Sequence, residues 1–431
     1  MNKQLLEQKV WLVAVSMGYG HQRTAYSLRS LAFNGKIINA DDYQGIPKKD
    51  KKIWDNSEKF YTFISRCKDI PLVGKFIFSL FDNIQKIFSF YPKRNLSAPN
   101  FVLKQIFSLI VNGWGKDLIE KLKKKPLSLI STFYAPVFAA DFFNFSGKIF
   151  CVICDADISR TWVSLKPEES KIKYFVPNER VVERLKLYGV REENIFLTGY
   201  PLPEENIGTE NLEILKNDLS YRLLNLDPER RYCQEYGVLI NKYLGDLPQK
   251  SNHPLTIMFT IGGAGAQKEI AIQAVQSLSK EIKEGNIKLV LSAGTRNNIK
   301  EYFKRSIQKL KLGKEVDIIF DEKIDRYFEK FNLALRKTDV LWTKPSELSF
   351  YVALGIPIII SPPIGSQEDF NKEWLLRMNS GIVQRNPKYT DQWFFDYLKR
   401  GMFAKAAFNG FIEAEKMGTF NIKKIISKCS G

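Results

Sequence analysis

Short apolar runs, each followed by a polar or glycine-bearing loop and then a stretch of helical period, recur along this chain in two separate series. The first opens with Val10–Ser16 (VWLVAVS), a glycine loop, a helix and then Lys36–Ala40 (KIINA). It resumes at Leu127–Thr132, Lys148–Ile153, Lys173–Val176 and Ile195–Thr198. The second comprises Leu255–Ile261, Lys288–Ser292, Val316–Phe320, Val340–Trp342 and Ile356–Ser361. Near-continuous apolar character marks strands buried on both faces, and parallel strands need crossover helices between them. The pattern predicts an α/β chain of two Rossmann-like, doubly wound halves facing across a cleft.

At 431 residues the chain is too long for one ordinary core, in agreement with two domains. The first is expected over 1–202, ending near Gly199-Tyr200-Pro201 and carrying a basic, aromatic insertion at about 43–125. A polar helical connector follows over 203–254. The second half is expected over 255–390, and the helices of 391–431 are expected to pack back on the first. No apolar run reaches the roughly 18–20 residues that span a bilayer. The run near the N-terminus reads as a first strand rather than a signal peptide, because no small-residue cleavage site follows it. Five cysteines in no disulfide spacing suit the cytosol. Cys151 and Cys154 form a C-x-x-C inside an apolar strand, expected as buried packing rather than a metal or redox pair.

The formal net charge is +18, and residues 43–125 hold 17 lysines and arginines against 7 acids. That bias fits an anionic membrane surface or phosphorylated ligands, or simply a solvated basic face. Nucleic acid is not expected, for no recognition motif accompanies the charge. In 72–94, KFIFSLFDNIQKIFSFYPKR spaces phenylalanines and isoleucines around a helix with lysines between them. With Lys121 and Lys123–Lys125 it reads either as a membrane-surface element or as a buried helix.

Candidate functional residues gather where loops leave the strands' carboxyl ends, the edge at which open α/β sheets bind ligands. In the first half the loop Ser16-Met-Gly18-Tyr-Gly20-His21 delivers one of only two histidines to a helix start. A general base near neutral pH suits an imidazole steadied by a carboxylate, and Asp155 or Asp157, at another strand end, could supply it. The alternative for His21 is a structural role. His253, the other histidine, is expected to be inert. Trp162 and Tyr200 could stack on a ring, or serve as core. In the second half, Gly262-Gly263-Ala264-Gly265-Ala266 lies between a buried strand and a helix. Glycines there allow close backbone approach, and the N–H groups of the helix start suit a diphosphate. It is not a Walker loop, since no Lys-Ser/Thr follows. From Thr343 to Asn371, Pro345 reads as the first turn of an α-helix closed by Gly355, with Lys344, Ser346 and Glu347 at its start. Gln367, Glu368 and Asn371 open the next helix with amide and carboxylate groups of the kind that bind sugar hydroxyls, or that merely cap a helix. No metal-ligand cluster is visible.

Together these loops resemble the GT-B glycosyltransferases, especially the monogalactosyldiacylglycerol synthases and the lipid-linked N-acetylglucosaminyltransferase of peptidoglycan synthesis. The motifs are spread sparsely over Trp11–Ile382. Gly18-Tyr-Gly-His21-x-x-x-Ala25 resembles the family's G-H-x-x-x-A loop, whose histidine activates the acceptor hydroxyl. Cys154-Asp155 through Trp162 resembles a strand-end Thr-Asp followed by Trp, and Thr198-Gly-Tyr-Pro201 the G-x-P that closes the N-terminal domain. Gly262, Gly263 and Gly265 resemble the diphosphate loop. Thr343-Lys344 with Gly355-x-Pro357 resembles a T-K … G-x-P frame, and Gln367-Glu368-x-x-Asn371 the Q-[QE]-x-x-N of the sugar pocket. One departure stands out: the family's ribose-binding glutamate, five residues before that glycine, is replaced by Phe350, with Glu347 one turn earlier. The resemblance implies a metal-independent hexosyltransferase without cofactor, working by inverting single displacement. Its donor would be a nucleotide-sugar, UDP-linked, and its acceptor a diacylglycerol-like or polyprenyl-linked lipid. It would sit in the cytoplasm, peripheral on the inner membrane face. The rivals are a soluble sugar-nucleotide epimerase of the same fold and an inactive binding protein.

Overall fold

A computed structural model describes residues 9–67, 87–262, 265, 267–363 and 365–428. The chain forms two compact units: 1–201 with 364–371 and 417–431, and 202–363 with 372–416.

The first unit holds a six-stranded sheet: β1 Val10–Ala14, β2 Ala32–Asn39, β3 Leu129–Ser131, β4 Ile149–Val152, β5 Ile172–Val176 and β6 Ile195–Leu197. Its order is β2-β1-β3-β4-β5-β6, with every pairing parallel. The chain winds outward from β1 to β2 and then returns to β1's other side, so the topological switch lies between β1 and β3. The insertion supplies helices Lys48–Cys67, Phe101–Val111 and Lys116–Leu122. The core is built from Val10, Leu12, Ala14, Ile130, Phe150, Val152 and Phe175, and the late helix Gly418–Lys428 adds Ile422 and Ile426. That helix is further tied by Asn421, whose amide donates to the Thr198 carbonyl at 2.9 Å.

The second unit repeats the arrangement: β7 Leu255–Thr260, β8 Ile287–Gly294, β9 Val316–Phe320, β10 Val340–Thr343, β11 Ile358–Ile360 and β12 Gly381–Val383. Its order, β12-β11-β10-β7-β8-β9, is again all parallel and places the switch between β7 and β10. The stretch 203–254 contains the helices Glu204–Ile207, Glu213–Leu226 and Arg231–Leu244. The helix Glu213–Leu226 is fastened by the fully buried Arg222, which donates to the carbonyls of Thr338 at 2.7 Å and Leu354 at 2.9 Å.

Two elements differ from expectation. The strand Gly381–Val383 is not apparent in the sequence, because three residues with no alternation give no period. The segment after Pro345 is a 3-10 helix, Glu347–Leu354, with all eight residues buried. An α-helix there would show one apolar and one polar face, but this segment is covered on every side. Gly410, on the helix Met402–Glu413, allows one of those contacts: a Cβ there would lie 2.6 Å from the Val352 carbonyl oxygen. Backbone cannot yield as a side chain does, so Gly410→Ala should destabilise the protein by about 1–3 kcal/mol, read as a lowered urea midpoint. Stability unchanged from wild type would show that this contact is not tight.

Candidate functional site

In the first unit the loop after β1 turns at Gly18, whose φ of 88° lies in the left-handed region, and the helix Tyr19–Ser27 begins at once. His21 therefore sits in the first turn of that helix. Its Nδ1 lies 2.7 Å from the carbonyl oxygen of Thr132, directly after β3, and the Thr132 hydroxyl donates back to the His21 carbonyl at 2.9 Å. A carbonyl only accepts, so the ring carries its proton on Nδ1 and its lone pair on Nε2. This two-way tie spans the switch between β1 and β3. Ser16, at the end of β1, is held in turn by Asp41 beyond β2, whose carboxylate accepts from the Ser16 N–H at 2.9 Å. Burial pushes the Asp41 carboxyl above its usual range, against the hydrogen bonds from Ser16.

His21 lines a cavity of about 110 Å³ together with Met17, Phe133, Tyr134, Asp155, Trp162 and Gln367. Its ring meets Phe133 edge-on at 4.9 Å and lies 6.1 Å from Trp162, which meets Tyr134 edge-on at 5.3 Å. The walls thus mix aromatic rings with polar groups: an imidazole, a carboxylate, an amide and the hydroxyl residues Ser159 and Thr161. Such a cavity accepts a hydroxyl on a largely apolar body.

Asp155 is set in place by Asn371. This fully buried amide accepts from the Ala156 N–H at 2.8 Å and donates to the Asp155 carboxylate at 3.1 Å. Asn371 therefore reaches the site by positioning a carboxylate, not by lining the cavity. Glu368 is buried, while Gln367 lines the cavity. Asn371→Asp keeps the acceptor for Ala156 but replaces the N–H donor with a second carboxylate, which would raise the proton affinity of Asp155. The acid limb of the pH–rate profile should move up by about one pH unit, with kcat at high pH retained. An unmoved limb would separate Asp155 from the chemistry.

Two other candidates do not belong to the cavity. Asp157 is 1% exposed and fully engaged: Arg184 binds it through Nε and Nη2, both at 2.8 Å, and Arg180 Nε approaches to 2.9 Å. Its charge serves this buried ion cluster, not the imidazole. Tyr200 is buried, and its hydroxyl lies 3.0 Å from Thr24 Oγ1, so it braces the histidine's helix rather than offering a stacking face. Gly20 lies within that helix, where its carbonyl accepts from the Thr24 hydroxyl at 2.8 Å. Cys151 and Cys154 are buried thiols in no disulfide, Cys154 Sγ standing 3.5 Å from His21 Nδ1.

In the second unit the candidate residues also meet at a switch. The hydroxyls of Thr260 and Thr343, ending β7 and β10, are 2.7 Å apart. Beyond them a Cβ on Gly262 would fall 2.5 Å from Lys344 Cε, so the lysine stem crosses the glycine. Of the expected diphosphate loop, Gly263, Ala264 and Ala266 lie outside the described residues. Gly265 has φ 73°, and the helix Lys268–Ser277 follows. Ser346 is half-buried and Glu347 buried. In a 3-10 helix residues three apart eclipse, so Glu347 and Phe350 share one face. Phe350 itself is buried with its ring 5.0 Å from Trp374.

Among the described residues, no group of three or more His, Cys, Asp or Glu is placed to hold a metal ion. Sequence reasoning missed Thr132, Phe133 and Tyr134. The available signal was the end of the third strand, which adjoins β1 across the switch.

Comparison with known proteins adds to this geometry. A domain of unknown function, DUF6938, matches residues 248–331. A processive diacylglycerol beta-glucosyltransferase of Bacillus subtilis is 21% identical over 286 residues, 65% of this chain and 63% of that protein. The chain thus matches somewhat less than two thirds of that relative's length. The protein of the same description from Bacillus cereus (strain ATCC 14579) is 24% identical over 392 residues, 88% of this chain and 82% of its own. MurG of Acinetobacter baumannii superposes with a TM-score of 0.51 at 13% identity, covering 98% of this chain and 99% of that one. In fold, then, the chain is a two-domain α/β protein of the GT-B type, like MurG, and in sequence it resembles the processive diacylglycerol glucosyltransferases.

Proposed function

We propose that the chain is a glycosyltransferase that moves a hexose from a UDP-sugar to a hydroxyl of a diacylglycerol-like or polyprenyl-linked lipid. The observation that carries this reading is the aromatic cavity in which His21, with its lone pair on Nε2, stands beside Asp155 and Gln367. Similarity to proteins described as diacylglycerol glucosyltransferases supports the lipid acceptor.

In the proposed reaction Nε2 of His21 takes the acceptor's proton as its oxygen attacks the anomeric carbon. The bond from that carbon to the diphosphate breaks on the opposite face, inverting the configuration, and the nucleoside diphosphate leaves with the electron pair. Asp155 steadies the cation formed on the ring. The stretch from Gly262 to Ala266, the start of the helix Lys268–Ser277 and Lys344 offset the charge on the leaving group. Ser346 and Glu347 are assigned to the nucleotide, with Glu347 taking the ribose in place of the missing carboxylate at Phe350. Gln367 and Glu368 are assigned to the sugar. No metal or cofactor is invoked, because N–H groups and a lysine supply the neutralising charge.

The reaction is placed on the inner membrane face. Among the described residues no helix is long and apolar enough to cross a membrane. Most of the segment 72–94 lies outside the described residues. Its described end, 87–94, is not the expected helix: Phe88 is 42% and Tyr91 71% exposed, which supports an interfacial role, while Ile87 and Phe90 are buried and Lys93 pairs with Glu183 at 3.0 Å. Lys121 and Lys123 are partly satisfied by Asp117 and Glu120 on their own helix, and Lys125 lies 4.1 Å from the Phe33 ring centre.

The test is incubation with radiolabelled UDP-sugars and total lipid, followed by thin-layer separation. Label entering a lipid band supports transfer. Conversion of the sugar-nucleotide without lipid labelling would identify an epimerase. Tight UDP binding with no turnover would identify a binding protein, the reading that Phe350 packed on Trp374 favours.

A further inference from the structure

The second unit carries a basic basin that none of the chemistry above uses. It lies against β9, the edge strand of its sheet, and encloses about 490 Å³. Lys300 and Lys304 come from the helix Asn297–Lys309, and Lys323, Arg326 and Lys330 from the turn after β9 and the helix Ile324–Leu335. The floor is apolar, made by the half-buried side chains of Ile318 and Phe320.

Charge in the basin is only partly neutralised. Lys330 binds the Asp321 carboxylate at 2.8 Å, and it holds that carboxyl below its usual range. Glu301 lies 3.6 Å from Lys304 and 3.9 Å from Lys300, and Lys300 also lies over the Phe320 ring at 4.5 Å. Lys323 and Arg326 form no salt bridge among the described residues, and both are exposed. Glu322 is the remaining acid of the lining.

We infer that this basin binds a phosphate-bearing anion, and that the anion is the headgroup of an anionic phospholipid. Lys323 and Arg326 meet the phosphate, with Lys304 beside them. A free phosphate would gain nothing from Ile318 and Phe320, whereas the glycerol and first methylenes of a lipid would cover them. Cations on long flexible stems around a broad apolar floor suit a membrane surface better than a small enclosed ion. Basic side chains at a sheet edge also discourage pairing with other strands, and that function alone would account for lysines here. Edge protection is indifferent to the sign of the charge, while lipid binding is not.

The inference rests on the membrane reading proposed above, and one experiment separates the two. The full chain is sedimented with phosphatidylcholine vesicles, with or without phosphatidylglycerol, at fixed ionic strength. Wild type is expected to bind only the anionic vesicles. Lys323→Glu/Arg326→Glu should weaken that binding about tenfold or more, since each basic side chain near such a surface contributes several-fold. Lys280→Ala/Lys283→Ala, a loss of two charges elsewhere on the unit, should bind nearly as wild type. Wild type failing to bind anionic vesicles would overturn both the membrane reading and the basin. Binding that the double reversal leaves unchanged, or that the control pair weakens equally, would overturn the basin alone. Inorganic phosphate bound by wild type and not by the double reversal, while both bind the anionic vesicles equally, would show that the site takes the free anion and would overturn the lipid assignment.

Discussion

His21→Ala should fold normally, bind UDP as wild type does, and lose about 10²–10⁴-fold in kcat for sugar transfer, the usual contribution of a positioned general base. The expectation follows from the ring's fixed tautomer. Thr132, tied to His21 in both directions, prevents the imidazole from presenting Nδ1 to the cavity. His21→Gln is a useful companion, because its amide N–H can still donate to the Thr132 carbonyl but offers no comparable base. If both variants lose transfer while their thermal midpoints stay near wild type, the loss belongs to proton transfer. Wild-type rates in either would sink the assignment.

Asp157→Ala should give the opposite profile. The change leaves Arg184, fully buried, without its carboxylate, and removing one partner from such a pair costs about 3–5 kcal/mol. Arg180 is partly exposed and can turn toward water, so most of the penalty falls on Arg184. A several-degree drop in the unfolding midpoint is expected, with kcat per folded molecule close to wild type. Replacing both members, as Asp157→Leu with Arg184→Met, should recover much of the lost stability, because apolar residues of similar size often match a buried pair. A fall in kcat at unchanged stability would return Asp157 to the catalytic group.

These contrasts indicate what the residues disclosed and what they concealed. Strand runs such as Leu255–Thr260 were legible to within a residue, because burial on both faces leaves a near-continuous apolar signature. The loop after β1 was legible as a strand-to-helix turn, with Gly18 in the left-handed region, whereas most of the loop after β7 lies outside the described residues. Partners were not legible. A carboxylate at a strand end looks the same whether it faces a cavity or two guanidiniums, although Arg180 and Arg184, one turn apart on a single helix, were a visible hint. Similarly, Asn371 has the side chain of a sugar ligand, and only its burial and its bonds to the 155–156 turn reveal a positioning role. The 3-10 segment was misread because helical spacing of apolar residues does not distinguish 3.0 from 3.6 residues per turn when both faces are covered.

The first unit is assembled from three lengths of chain that are remote in sequence. Cutting the gene after Pro201 would therefore not yield a self-sufficient half. The shortened polypeptide would lack the isoleucines of its last helix, exposing a greasy trough along the sheet, and the turn at 155–156 would lose its amide clasp. Dissection of the two halves calls instead for circular permutation or for point changes in the intact chain.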